Sequence, residues 1–452
     1  MDHSGVRDVP ESCGSMTGRR DRHTALRTAA ARPAGRRRTL RTAGALAAAV
    51  SLSAGCGVVP GTTGGSGNDT VTVMTWAPDS TPATNKPGMP AMARAYARWV
   101  NDAGGIAGHK LKVLTCNDSN DSVAAAKCAR LAVKEDVAAV VGSYSQYSDS
   151  FFPPLESAGI PYIGGYGLTT AEFTRALSYP VNGGQPALLV GLGRELAKDC
   201  GPVALVRPDS IAGDELPGLL DTGLKAGGHR AAHDQPAAED ATEYAGEAAR
   251  ALAQATSQPG KKGCVIPALG ERTSIFMDSF RRARAGQPAV RTAAVLGNVD
   301  QTVIDASGGR AGPYEGASVT GWYPVADDPR WNAMKKVIDE QAFGDNRVDP
   351  ADAGVQTTWI AYTVLRAVLE KIGSGPVNPG TVRRALDSGL AVDTGGLTPR
   401  LRWPLSGPFA PAGFARLANA EVTLQAVRAG RLVAATKGFV DVTGPLRETD
   451  TD

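Results

Sequence analysis

Val137-Ala-Ala-Val-Val141, Gly142-Ser-Tyr-Ser-Gln-Tyr-Ser148, the stretch from Phe151 to Ala158 and Ile160-Pro-Tyr-Ile163 follow one another in one short span. The first and last are continuous apolar runs, too short for helices and bounded by Gly and Pro. That is the pattern of strands covered on both faces. Between them lie a Gly- and hydroxyl-rich loop and a helical stretch. Strand, loop, helix, strand is the grammar of a parallel sheet.

The same grammar extends in both directions. Upstream, Val71-Thr-Val-Met-Thr-Trp76 reads as a strand. Pro90 to Asp102 reads as a helix with Met92, Tyr96, Trp99 and Val100 on one face, stopped by Gly104-Gly105. Leu111-Lys-Val-Leu114 is a second strand, and Asp121 to Lys134 a helix with Ser122 as its expected N-cap. Downstream the pattern restarts at Pro186. A helix to about Lys198 precedes strands 203–206, 265–269 and 292–296, with helices over 214–226, 240–255 and 272–284. Long helices follow over 329–343 and 354–372, then a strand, Val422-Thr-Leu-Gln-Ala-Val427. The fold class is therefore α/β, with two doubly wound parallel-sheet lobes in series.

In open parallel sheets ligands bind beyond the carboxyl ends of the strands. The loops falling there are Trp76-Ala-Pro-Asp-Ser80, 142–148, Gly164-Gly-Tyr-Gly-Leu-Thr-Thr170, Arg207-Pro-Asp-Ser-Ile-Ala-Gly213, Gly270-Glu-Arg-Thr273 and Gly297-Asn-Val-Asp300. They are small, hydroxylic and Gly-rich, suited to presenting N–H and O–H groups to a polar ligand. Ser145, Thr169 and Asp300 are also residue types that cap helices, and Trp76 equally suits a core.

The N-terminal region speaks to destination. Arg36-Arg-Arg-Thr-Leu-Arg41 is followed by the short apolar run Ala43 to Ala54, then Gly55 and Cys56. A positive start, a short apolar core and small residues describe a secretory signal. The run is shorter than the roughly 20 residues that span a bilayer. A cysteine directly after small residues resembles a bacterial lipobox, with Ser53 where that motif favours an aliphatic residue. It implies lipid on Cys56 and a membrane contact through that anchor only. Residues 1–55 hold ten Arg against four Asp or Glu, leaving 38 Lys or Arg against 41 Asp or Glu in the remainder. No basic footprint for nucleic acid persists. Gly57 to Thr70 reads as a flexible tether.

Four cysteines remain after Cys13 and Cys56. An even number in an oxidising compartment suggests disulfides, and three pairings are open. Cys116 with Cys128 and Cys200 with Cys264 is the economical choice. No G-x-S-x-G, H-E-x-x-H or Walker loop occurs. The histidines after the leader, His109, His229 and His233, lie outside the strand-end loops. His229 and His233 are four apart but fall between predicted helices without a third ligand. No enzyme activity, metal or cofactor is expected.

The span 89–169 carries a resemblance. Trp99-Val-Asn-Asp-Ala-Gly-Gly-Ile106, Gly108-His-Lys-Leu111, Asn117-Asp118, an Ala-rich helix, Val-Val-Gly142-Ser and Pro154-Leu-Glu-Ser-Ala-Gly-Ile-Pro161 resemble the type I periplasmic binding proteins of the branched-chain amino-acid class, the solute receptors of ABC importers. The resemblance implies two lobes joined by a three-strand hinge, with crossovers near 182–186, 318–324 and 385–392. The expected organisation is a leader (1–55), a tether (56–70), an N-terminal lobe (71–184 and 322–388), a C-terminal lobe (185–321 and 389–440) and a disordered tail (441–452). It further implies ligand-carboxylate contacts from Tyr144, Ser145 and Gln146 and from Gly167, Leu168 and Thr169. The second lobe would close with the loop from Asp209 to Gly213, and Asp300, or less directly Asp209 or Glu271, would meet an ammonium. Trp76 completes the expected lining. The implied function is a monomeric, lipid-anchored receptor on the outer face of the cell membrane. It would pass a small polar, amino-acid- or amide-like ligand to an ABC permease. The alternative is a sensor on the same fold that signals to a partner without transport.

Overall fold

A computed structural model describes residues 70–448 except 83, 286–289, 296 and 405–412. The leader, Cys56 and almost all of the tether lie outside the described residues. The first sheet contains β1 (Thr70–Trp76), β2 (Lys110–Cys116), β3 (Ala139–Val141), β4 (Tyr162–Ile163) and β5 (Ser178–Tyr179), in the order β2-β1-β3-β4-β5 and parallel throughout. β1, flanked by β2 and β3, is buried along most of its length.

The second sheet contains β6 (Val203–Pro208), β7 (His233–Ala237), β8 (Cys264–Pro267), β9 (Arg291–Val295) and β10 (Ser318–Gly321), ordered β7-β6-β8-β9-β10 and again parallel. Three later strands extend it antiparallel: β11 (Glu421–Arg428) beside β10, then β12 (Arg431–Ala434) and β13 (Val440–Asp441) beside β11. The folded chain thus has the two doubly wound lobes that its strand–helix grammar predicts.

Long-range helix packing assigns the C-terminal third. Tyr96, on the helix Gly88–Asp102, meets Trp359 on the helix Ala353–Ile372 edge-on at 5.2 Å. That long helix, together with Asn332–Gln341, therefore belongs to the first lobe. The chain passes between the lobes around 180–184, 322–331 and 418–420.

The third passage corrects the expectation of 385–392, and with it the assignment of residues 389–404 and 413–417 to the second lobe. These segments line the open edge of the first sheet at β5. Trp403 Nε1 donates to Pro180 O at 2.8 Å, Arg416 Nε to Ser178 O at 2.9 Å and Arg416 N to Phe173 O at 2.8 Å. A two-residue edge strand leaves carbonyls that need partners, and this coil supplies them.

The tail is likewise corrected. Asp441 belongs to β13, and Thr443–Arg447 is helical with Leu446 fully buried. Val442 and Leu446, one turn apart and both buried, dock this segment despite its polar composition. Two local readings also change. Asp121, not Ser122, caps its helix by accepting from Ala124 N at 2.8 Å. His233 opens a strand instead of lying between helices.

Both economical disulfides form. Cys116–Cys128 ties the end of β2 to the following helix, and Cys200–Cys264 ties the approach to β6 to β8, with Cα separations of 5.7 and 5.8 Å. No helix among the described residues is long and apolar enough to cross a membrane.

Candidate functional site

The strand-end loops of the two lobes face each other and line a partly open cavity of about 100 Å³. From the first lobe it is lined by Lys86, Tyr144, Gln146, Tyr166 and Leu168; from the second, by Gln185, Ser210, Leu216, Glu271 and Asn298 among others. A wider cleft shares Gln146, Leu168, Ser210 and Glu239 with it and leads outward past Thr169.

The lobes are clasped. Asn85 N donates to the Glu271 carboxylate at 2.9 Å, Arg272 to Pro82 O at 2.6 Å, and Thr170 Oγ1 to Glu215 at 2.6 Å. Thr302 also bonds Asp349. At the closest approach Gly297 has φ +95°, and a Cβ there would lie 2.3 Å from the Tyr166 hydroxyl. Only glycine satisfies both the backbone and the space.

Aromatic rings form one wall. Tyr144 and Tyr166 meet edge-to-face at 5.0 Å, and Tyr166 continues onto Trp322 at 5.3 Å. Burial pushes both phenols well above their ordinary range, outweighing the nearby Lys86, so they stay protonated and able to donate. Lys86 is itself 8% exposed, bonded to Asp352 at 2.9 Å, with its ammonium 5.9 Å from the Tyr166 centroid. Burial disfavours its charge, but Asp352, Tyr166 and Glu271 together outweigh that and hold it well above the ordinary lysine value.

Of the residues expected in the site, Tyr144, Gln146 and Leu168 line the cavity. Trp76 does not. It is fully buried in the first-lobe core, 5.4 Å from Phe151 and 6.0 Å from Tyr162 by ring centroids. Ser145 is turned inward and buried, and its Oγ accepts from Tyr147 N at 3.2 Å. Asp209 lies off the lining, its N–H donating to Ala237 O. Asp300 caps the helix Gln301–Ala306 by accepting from Val303 N at 2.9 Å and faces a neighbouring cavity with Lys86, Asp349 and Asp352. Its carboxyl is pushed up to about 6, chiefly by burial, with the Val303 N–H opposing and Asp352 adding to the rise.

Gly167, Leu168 and Thr169 are placed together, but their N–H groups converge on Glu172. Glu172 Oε2 accepts from Gly167 N at 3.0 Å, and Oε1 from Leu168 N at 2.9 Å and Thr169 N at 3.1 Å. Burial raises this carboxyl while the N–H groups pull it back down. Glu172, Lys86, Gln185 and Asn298 were not singled out from sequence. Asn298 and Tyr166 sit inside loops that were, so their position signalled them. Lys86 lies beyond the marked end of the first loop, and Gln185 follows the first crossover.

Two α/β lobes closing strand-end loops over a small mixed polar and aromatic cavity define a solute-binding protein of the type I periplasmic kind. The family profile described as periplasmic binding protein matches residues 70–430, and the chain belongs to that family. No curated protein matches the chain. Among solved structures, the fold is similar to a branched-chain amino-acid ABC transporter protein from Thermus thermophilus with bound valine. The TM-score is 0.68 and the identity 16%, over 85% of this chain and 100% of that one. It is also similar to a solute-binding protein of an ABC transporter from Rhodopseudomonas palustris HaA2 in complex with p-hydroxybenzoic acid (TM-score 0.67, 16% identity, 82% and 97% covered). A fatty acid ABC transporter substrate-binding protein from Thermomonospora curvata gives a TM-score of 0.64 at 14% identity, over 83% and 93%.

Proposed function

We propose that this chain is a lipid-anchored extracytoplasmic receptor that captures a small polar ligand, of amino-acid or amide type, between its lobes and delivers it to an ABC permease. The observation that carries the reading is the cavity at the facing strand ends, lined by amides, hydroxyls, two tyrosines and a few charged side chains and bordered by cross-lobe hydrogen bonds. Binding in such a cleft needs hinge motion and hydrogen bonds rather than a reacting side chain. Cys56, behind its apolar run, is the proposed lipid attachment point.

Native mass spectrometry of freshly purified protein, followed by calorimetric titration of whatever small molecules co-purify, tests the capture step. Failure to find or titrate any solute of any charge would refute it. Cys56→Ser should release the protein from the membrane fraction, and unchanged fractionation would refute the anchor.

A further inference from the structure

Lys86 is a buried cation on the wall of the cleft. It lines both the cavity between the strand-end loops and the neighbouring one that holds Asp300 and Asp352, and it is 8% exposed. An ammonium carries three N–H donors. Among the described residues its Nζ donates one hydrogen bond, to Asp352 Oδ2 at 2.9 Å. The other oxygen of Asp352 accepts from Val355 N at 2.9 Å and caps the helix Ala353–Ile372. The ion pair therefore pins the ammonium to a helix end and leaves two donors uncommitted at the cavity wall. Water can serve them in an empty cleft, but a solute that displaces this water must replace its hydrogen bonds or lose affinity. The Tyr166 ring centroid lies 5.9 Å from the ammonium, and Tyr144 meets that ring at 5.0 Å, so a lysine and two phenols share one wall. All three can donate to an oxygen.

The charge of that oxygen follows from what surrounds Lys86. Asp352 neutralises the ammonium, and Glu271, Asp300 and Asp349 line the adjoining cavity. The other cation there, Arg347, is held by Asp345 at 2.6 Å. A further carboxylate would meet more like charge than compensation. A carbonyl oxygen takes a charge-assisted bond and brings no charge of its own. From this geometry we infer that Lys86 is a specificity-determining residue that donates to a carbonyl oxygen of the solute and selects an uncharged, carbonyl-bearing ligand. The inference rests on the receptor reading and narrows it to the amide type.

The test titrates three probes of one shape, benzamide, benzoate and benzamidine, calorimetrically into the wild-type chain and Lys86→Met. Benzamide offers an acceptor without charge, benzoate an acceptor with charge, and benzamidine donors alone. The wild type should bind benzamide at least about tenfold more tightly than either of the others, the scale of one buried hydrogen-bonding group left without a partner. In Lys86→Met benzamide should weaken by about tenfold or more, while benzamidine gains because Asp352 has lost its cation. If the methionine variant does not fold, Lys86→Met combined with Asp352→Asn takes its place, and the loss of benzamide affinity is read there alone. Unchanged benzamide affinity in the variant would overturn the inference. So would benzoate or benzamidine matching benzamide on the wild type. If none of the three binds, solvent exchange of the isotope-labelled lysine ammonium groups decides. A slowly exchanging signal that disappears in the variant would show all three Lys86 donors bonded within the chain and overturn the inference; no such signal is the expected result. Absence of any bound solute in the mass-spectrometric experiment fails the receptor reading separately.

Discussion

Replacing Asp300 by Asn should stabilise the protein at neutral pH and do nothing at pH 4. The Asp300 carboxyl is pushed up to about 6, first by burial and then by Asp352 and Asp349, against an ordinary value of about 3.9. A folded-state value above the unfolded one means that the folded chain holds the proton more tightly. The resulting stabilisation is complete below about pH 4, where both states are protonated, and is lost as pH rises through 6. Two pH units correspond to about 3 kcal/mol; the side chain is partly exposed, and screening lowers the expected figure to about 1–2 kcal/mol. Asn accepts the Val303 N–H as well as Asp does, so the helix cap survives. Urea denaturation of both proteins at about pH 4 and pH 7.5 measures the difference while other carboxyls cancel. A gap between the two proteins that does not change with pH would refute the reasoning. So would an asparagine variant that loses stability relative to the parent as pH rises.

Three further outcomes follow from the geometry. Gly297→Ala forces a methyl against the Tyr166 hydroxyl at a positive φ, so ligand affinity should fall while far-ultraviolet circular dichroism stays unchanged; unaltered affinity in titration would show that closure does not need this approach. Ser145→Ala should cost about 1 kcal/mol of stability, because it removes the acceptor of the Tyr147 N–H, while affinity stays as before; the opposite pattern in denaturation and titration would place Ser145 in the cavity. Leu446→Ala should cost about 2 kcal/mol or more in a urea melt, at the low end for a buried leucine, and a neutral result would mean that the C-terminal helix is not docked.

The fold was largely legible because its buried strands are continuous apolar runs separated by amphipathic helices. The elements that escaped lack that signal. β5 is two residues long, and β7 (His-Asp-Gln-Pro-Ala) is an edge strand with most of its side chains exposed. The segments 390–404 and 413–417 have no periodicity, and Trp403 and Arg416 within them satisfy carbonyls of another segment. Strand-end position found the loops that line the cavity, and Tyr144, Gln146 and Leu168 within them. It could not tell which side chain of a loop turns inward, and Ser145 and Trp76 went to the interior. Nor could it pair Lys86 with Asp352, which lie 266 positions apart.

The late return of the chain to both sheets has a consequence for how the protein is made. The edge strand β5 is complete by Tyr179, yet Arg416, which bonds its Ser178 carbonyl, and Trp403, which bonds the adjoining Pro180 carbonyl, come more than 200 residues later. β10 likewise waits for β11, and its partner residues Ser318 and Ala426 are widely separated in the chain. Because synthesis runs from the N-terminus, each lobe exists for most of that time as a sheet with one raw edge, open to pairing with another nascent copy. Neither half can be excised as a continuous fragment. A chain cut before about residue 390 would contain every parallel strand and still expose both edges, so nearly the whole polypeptide must be present before either half becomes safe from self-association.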